Sequence, residues 1–351
     1  MITKIIDEAL IQAAKERILD AENVVITTHV SPDGDAIGSS LAICHFLRQL
    51  GKGAVVIVPN EMPGFLKWLP AADEILVYKD QTKICKELIV KADLILALDF
   101  NTLSRIDAMG IDVADAKAQK VMIDHHTNPG NFADVIISYP NISSTSEMIF
   151  RLICRMGYAP EIEKKIATCV YTGMMTDTGA FTYNSNSPEI YTIISELLKK
   201  EIDKDYIYRR INSNFSVSRL KLEGYTLSEK MIVDEKMGVS VMSLTQEELT
   251  RFNYQKGDSE GFVNIPLSIK GVVLSAFFKE EDGKVKISLR SRGDVRVNDI
   301  AAELFDGGGH VNAAGASTSD MSLDEAIKKF NASLPNYKAM IDQELSKEEY
   351  K

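Results

Sequence analysis

The sequence predicts an α/β protein: an N-terminal parallel sheet with helices on both faces, a helical connector, and a smaller C-terminal mixed α+β domain. Three observations carry this. The first half alternates short, fully apolar runs with helix-period segments, the pattern of a parallel sheet covered on both faces. After about residue 228 the texture changes to short apolar runs flanking hairpin-like turns. The 351 residues also exceed what one hydrophobic core normally spans. The expected boundaries are 1–190 for the first domain, 191–228 for the connector and 229–345 for the second domain.

Residues 2–21 read as a helix, and 23–28 (NVVITT) as a β-branched run of strand length. Residues 36–50 carry apolar side chains at helical spacing and stop at Gly51. Strands are expected at 54–58, briefly at 74–78, at 93–99 (DLILALD) and at 120–124 (KVMID), with a helix over 82–91. Helices follow at 143–157, 160–175, 188–200 and 204–224. In the second domain, 231–233 and 238–243 flank DEKM, and 271–279 and 284–290 flank EEDG, two hairpin signals. A helix over 298–304, a glycine cluster, and helices near 323–334 and 336–348 complete the chain.

Apolar residues make up 45% and charged residues 26%, the mix of a soluble globular protein. The net charge is −10 and no Lys/Arg block is present, which argues against long duplex nucleic acid, whose affinity rests on phosphate contacts. Small phosphates remain open to an acidic chain if bound cations invert the local field. The four cysteines, Cys44, Cys85, Cys154 and Cys169, show no CxxC or zinc spacing and read as small buried hydrophobes of a reducing compartment. The charged N-terminus is unlike a signal peptide, and no apolar run nears the roughly 20 residues of a membrane span. The expectation is a cytoplasmic protein without a membrane partner. The oligomeric state is left open, a homodimer included.

Ligands of open α/β sheets sit beyond the carboxyl ends of the strands, and the polar residues of the first half gather there. The first strand runs into His29, Asp33 and Asp35 within HVSPDGDAIGSS. The fourth ends at Asp99, and the fifth at Asp124, His125 and His126. Asp177 follows a later apolar helix. Pro32 and Gly34 bend the chain so that Asp33 and Asp35 can face one point, and Gly38 is expected to let its helix pack close to the sheet. Two carboxylates and an imidazole in so short a stretch suit Mn²⁺ or Mg²⁺.

Taken singly, Asp33, Asp35, Asp99 and Asp177 read equally well as turn residues or helix caps. Three polar groups directly after a buried strand, Asp124 to His126, are harder to read so, because without partners they cost several kcal/mol. The combination decides. Two cations need about that many anionic ligands, and one bridging carboxylate sets them roughly 3.5–4 Å apart, the arrangement that activates water and clamps a phosphoryl group. No Walker loop, nucleophile elbow or dinucleotide fingerprint competes. In the second domain, glycines ahead of a helix-like run, with Gly308, Gly309 and His310, let backbone N–H groups approach an anion. Arg290 or Arg292 could hold a phosphate bidentately.

These residues resemble the DHH phosphoesterase family over nearly the whole chain. HVSPDGDAIGSS, ALDF, IDHH and GMMTDTGAF look like its four motifs in order, and SLRSRGDVRVNDIAAELFDGGGHVNAAG resembles its DHH-associated C-terminal domain. The resemblance implies two Mn²⁺ ions, with Mg²⁺ or Co²⁺ as alternatives. It implies that one takes His29, Asp33 and Asp99, and the other Asp35, Asp99, His125 and Asp177, with Asp99 as the bridge. Asp124 would orient a ligand from behind and His126 would lie near the scissile phosphate. Arg105, Arg290 and the loop of Gly308, Gly309 and His310 would contact substrate. The compact layout looks like the branch acting on short oligoribonucleotides and 3′-phosphoadenosine 5′-phosphate. A standalone branch acting on cyclic di-AMP or pApA has the same layout and stays open. A binding module without chemistry would lack metal ligands, and all the expected ones are present. A pyrophosphate or polyphosphate site would need many Lys/Arg side chains, and the GGGH segment has no Lys.

Overall fold

The computed structural model describes residues 4–347, and the packing divides the chain into two units, one up to Asn214 and one from Phe215. The division falls within the stretch read as a connector.

In the first unit, α1 (Glu8–Asp20) leads to β1 (Asn23–Thr27), α2 (Gly34–Gln49), β2 (Gly53–Val58), β3 (Leu76–Val77), α3 (Thr82–Lys91) and β4 (Leu94–Leu98). Then come α4 (Met109–Asp115), β5 (Gln119–Asp124), β6 (Val135–Ser138), α5 (Thr145–Arg155), α6 (Lys164–Asp177), α7 (Pro188–Leu198) and α8 (Lys204–Asn212). The six strands form one parallel sheet in the order β3-β2-β1-β4-β5-β6. Side chains alternate between faces along each strand. Val24 and Ile26 join the core under α1, α2, α5 and α6, while Val25 joins the core under α3 and α4. The parallel sheet covered on both faces is therefore as the sequence predicts. The strand order reverses between β1 and β4, which places the crevice beyond the ends of those two strands.

The second unit contains α9 (Val217–Tyr225), β7 (Ile232–Asp234), β8 (Val239–Leu244), α10 (Gln246–Arg251), β9 (Leu274–Glu281) and β10 (Lys284–Ser291). It ends with α11 (Val297–Phe305), β11 (Gly308–His310), β12 (Ala313–Thr318) and α12 (Leu323–Leu345). Its sheet runs β11-β12-β10-β9-β8-β7, antiparallel except at β8–β9. This is the mixed α+β texture expected.

Several elements differ from expectation. The helix expected at 2–21 begins at Glu8, and residues 2–3 lie outside the described residues. The helix expected at 204–224 is two, broken between Asn212 and Val217. The helices expected at 323–334 and 336–348 are one, with Pro335 inside it and residue 348 outside the described residues. The run after the glycine cluster is a strand, β12, and not helix-like. Among the described residues no helix is long and apolar enough to cross a membrane.

Candidate active site

Every strand end that the sequence singled out reaches the same crevice. Beyond β1, the Val30 N–H donates to the Arg105 carbonyl (2.8 Å) and the Ser31 N–H to Asn60 Oδ1 (2.6 Å), so the turn carrying His29 is tied on both sides. Asp33 is the N-cap of α2: its Oδ1 accepts from the Asp35 and Ala36 N–H groups, both at 3.0 Å. Its other oxygen lies 3.9 Å from His29 Nε2, so capping α2 leaves one carboxylate oxygen turned toward His29. Asp99 caps no helix. Its backbone is left-handed, φ 63°, a conformation that Asp adopts more readily than most residues other than glycine.

The imidazoles are oriented by acceptors that cannot donate. His29 Nδ1 lies 2.9 Å from the Val30 carbonyl and His125 Nδ1 3.2 Å from the Ile142 carbonyl. In the neutral rings this places the proton on Nδ1 and turns Nε2 to the carboxylates. His29 Nε2 is 3.5 Å from Asp99 Oδ2. His125 Nε2 is 3.5 Å from Asp99 Oδ1, 3.5 Å from Asp177 Oδ2 and 3.8 Å from Asp35 Oδ2. These separations sit at or beyond the limit of a hydrogen bond. His126 differs: its Nδ1 lies 2.7 Å from Asp124 Oδ1, so Asp124 orients His126 while the Ile142 carbonyl orients His125.

The donor set fits divalent cations. His29, Asp33 and Asp99 form one group whose ligand atoms lie within 4.8 Å of one another, and Asp35, His125 and Asp177 form a second. A third group, Asp99, Asp124 and His126, meets the same criterion. Asp35, Asp99 and Asp124 are buried, and Asp124 Oδ2 has no hydrogen-bond partner among the described residues, a cost that a cation nearby would remove. Burial, with Asp99 and Asp177 nearby, raises the Asp35 carboxyl well above the usual range. Burial, opposed by His125 and helped by Asp33, pushes Asp177 up to about 7. Burial would lower His125, but Asp177, Asp99 and Asp35 outweigh it and raise the imidazole to about 9. Burial also acts to raise Asp99, yet His29, His126 and His125 together hold it well below the carboxylate range.

The metal-free site thus holds protons where cations fit. A raised pKa means that the folded state binds more protons than the unfolded, so stability falls as pH rises between the two values. For His125 that window runs from 6.5 to about 9. For Asp177 it runs from 3.8 to about 7. The expected outcome in chelator is a Tm that falls between pH 6.5 and 9, with the gain on adding Mn²⁺ growing over the same span. A thermal-melt series at fixed ionic strength checks it, and a flat Mn²⁺ gain contradicts it.

Two glycines set the spacing of the carboxylates. A Cβ on Gly38 would lie 2.6 Å from the Cys169 carbonyl and 2.9 Å from Gly173 N, so Gly38 serves the packing of α2 on α6 and not, as expected, on the sheet. A Cβ on Gly173 would press into Ser146 Oγ and lie 2.8 Å from Asp35 Oδ1. That helix contact places Asp35 beside Asp177. Gly173→Ala is expected to lower stability by about 1–3 kcal/mol through overpacking and to weaken Mn²⁺ binding by displacing Asp35. Melting and Mn²⁺ titration of the folded variant check both.

Sequence reasoning missed the start of α5. Asp35 Oδ2 and Oδ1 accept the N–H groups of Thr145 (2.6 Å) and Ser146 (2.8 Å), and Thr145 Oγ1 donates to Asp99 Oδ1 (3.0 Å). A signal was present, a capping pattern of Ser144 with Glu147 three residues on, but the stretch is read from sequence simply as a helix over 143–157. Arg105 lies in a 3-10 turn, Leu103–Ile106, near enough that its charge opposes protonation of His29.

In the second unit, Arg290 and His310 both register with Ala313, so they share one face of the sheet two strands apart. Gly308 pairs with Gly315 and Gly309 with Ala314. Gly309 has φ 145° with the Ala313 carbonyl too close for any side chain.

Comparison with known proteins gives the family of both units. Residues 23–174 match the DHH family, N-terminal domain, and residues 234–336 match the DHHA1 domain. The chain is 34% identical over 307 residues, 87% of each chain, to the bifunctional oligoribonuclease and PAP phosphatase NrnA of Thermus thermophilus. It is 26% identical to the protein of that description from Bacillus subtilis, covering 87% of this chain and 91% of that one. The crystal structure of an exopolyphosphatase-related protein from Bacteroides fragilis superposes with a TM-score of 0.93 at 53% identity, covering 97% of this chain and 99% of that one. Fold, site and relatives define a hydrolase of the phosphoesterase class. The chain belongs to the DHH family and carries a DHHA1 domain as its second part.

Proposed function

We propose that the chain is an Mn²⁺-dependent phosphoesterase that hydrolyses short oligoribonucleotides to mononucleotides and 3′-phosphoadenosine 5′-phosphate to AMP. The observation that carries this is Asp99, whose two oxygens lie 3.5 Å from His29 Nε2 and 3.5 Å from His125 Nε2, joining the two ligand groups at the sheet's switch point. His29, Asp33 and Asp99 would hold one ion. Asp35, Asp99, His125 and Asp177 would hold the other. Bound there, divalent cations supply the water-activating and charge-neutralising chemistry of phosphoester hydrolysis.

The chain's own residues do the rest. Asp124 keeps the His126 proton on Nδ1, so Nε2 handles the proton exchanged with the substrate. His126 is 12% exposed against 3% for His125, which suits it to meet a substrate from the crevice. Arg105 offers a cation to phosphate at the edge of the site. Arg290, Gly308, Gly309 and His310 are the substrate contacts of the second unit, a cationic side chain and strand backbone suited to a short nucleotide. The net charge of −10 disfavours long duplexes.

The test is Mn²⁺-dependent release of mononucleotides from a dinucleotide and of phosphate from 3′-phosphoadenosine 5′-phosphate, beside pApA, cyclic di-AMP and pyrophosphate. Turnover of the first two above the others is expected. Preferred turnover of cyclic di-AMP or of pyrophosphate would overturn the substrate assignment.

A further inference from the structure

Behind the carboxylates, the turn that holds them is itself held by charge. We infer that Glu147 and Arg151 are positioning residues of the metal centre: their buried ion pair sets the turn over 142–146, and through it the orientation of His125, Asp35 and Asp99. The inference rests on the metal reading above.

The contacts form an unbroken chain. Arg151 Nε donates to Glu147 Oε1 (2.8 Å), and its Nη2 reaches Glu147 Oε1 (2.7 Å) and Glu189 Oε2 (2.8 Å). Glu147 Oε2 accepts from Ser143 Oγ (2.5 Å) and the Ser143 N–H (3.2 Å). Ser144 Oγ accepts the Glu147 N–H at 3.0 Å and so closes the turn. Each remaining residue of the turn then grips the site. The Ile142 carbonyl takes His125 Nδ1, the Thr145 and Ser146 N–H groups take Asp35, and Thr145 Oγ1 takes Asp99.

The setting argues that the pair serves geometry. Arg151 is 2% exposed and Glu147 3%, so both are desolvated inside the first unit. Apolar residues in place of such a pair are often as stable, which makes an ion pair here weak as a stabilising device. What it supplies is directional: Glu147 anchors two donors of Ser143, and the planar guanidinium ties that carboxylate to α7 through Glu189. Outer partners of ligating side chains commonly change metal affinity by about 10–100-fold. A cavity of about 410 Å³ borders both Glu147 and Arg151, so removing the guanidinium leaves Glu147 beside space that water can enter.

The experiment is Mn²⁺ titration of the full chain, followed by the electron paramagnetic resonance of free Mn²⁺. Four proteins are compared: wild type, Arg151→Met, Ser143→Ala, and Ile193→Val as a buried core variant of α7 outside the turn. Arg151→Met is expected to raise the Mn²⁺ Kd at least about tenfold, and Ser143→Ala to raise it less but in the same direction. Ile193→Val loses Tm without losing affinity. Where Arg151→Met is folded it decides; where it is not, Ser143→Ala decides. A deciding variant whose Kd stays within twofold of wild type, as for Ile193→Val, overturns the inference. Wild type that binds no Mn²⁺ overturns the metal reading itself, a result distinct from the first.

Discussion

Asp99→Asn is expected to lower kcat by about 100- to 1000-fold, the range for removing a preorganised electrostatic group at a reacting centre. It should also abolish stabilisation by Mn²⁺ and lower the Tm of the metal-free protein near neutral pH, because a carboxylate held below its usual range stabilises the folded state. Asn is nearly isosteric, so the packing at the end of β4 persists and Thr145 Oγ1 keeps an acceptor. What is lost is charge. Burial opposes an ionised Asp99, and His29, His126 and His125 overcome it. The same charge helps to raise Asp35 and Asp177. Without metal, then, the imidazoles outweigh the neighbouring carboxylates and hold the Asp99 charge, and an amide loses that attraction; with metal, Asp99 is the group both ligand sets would share. A fall in kcat and in Mn²⁺ stabilisation out of proportion to the fall in Tm distinguishes a functional carboxylate from a structural one. An Asn variant that keeps more than a tenth of the activity contradicts the bridging role.

His126→Ala is expected to lower kcat by about 100- to 10,000-fold, the contribution of a positioned general acid or base, with the Mn²⁺ Kd within a few fold of wild type. The two neighbouring histidines are held differently. His125 faces three carboxylates at 3.5–3.8 Å, while His126 makes a 2.7 Å hydrogen bond to Asp124. The kcat–pH profile should lose one limb in the variant. Loss of Mn²⁺ binding in parallel with kcat would instead make His126 a ligand, with Asp99 and Asp124 as its partners.

Much of this was legible because buried parallel strands are written as apolar runs and end abruptly at polar residues. Residues 94–98 (LILAL), followed by Asp99, showed both the strand and the point where its chemistry begins. Where the pattern was weak, reading failed. β6 is a four-residue edge strand, too short to show a period, and it went unread. Pro335 looked like a helix break, but the buried stripe Phe330, Leu334 and Ile341 continues across it, so tertiary packing carries α12 through a residue without an N–H. Gly307 to Gly309 carry no side-chain period at all, so the hairpin of β11 and β12 was invisible and the run after it was read as helical. The role of Thr145 was out of reach for another reason. Its hydroxyl and N–H act on Asp99 and Asp35, residues 46 and 110 positions away, and no local pattern encodes such a pairing.

The most direct measurement is anomalous diffraction from a crystal of this protein grown or soaked in Mn²⁺. Two peaks are predicted in the crevice between β1 and β4, one beside His29 and Asp33, the other beside Asp35, His125 and Asp177, with Asp99 reaching both. Carboxylates that stay metal-free at saturating Mn²⁺, or a single ion that leaves Asp99 out, would contradict the account.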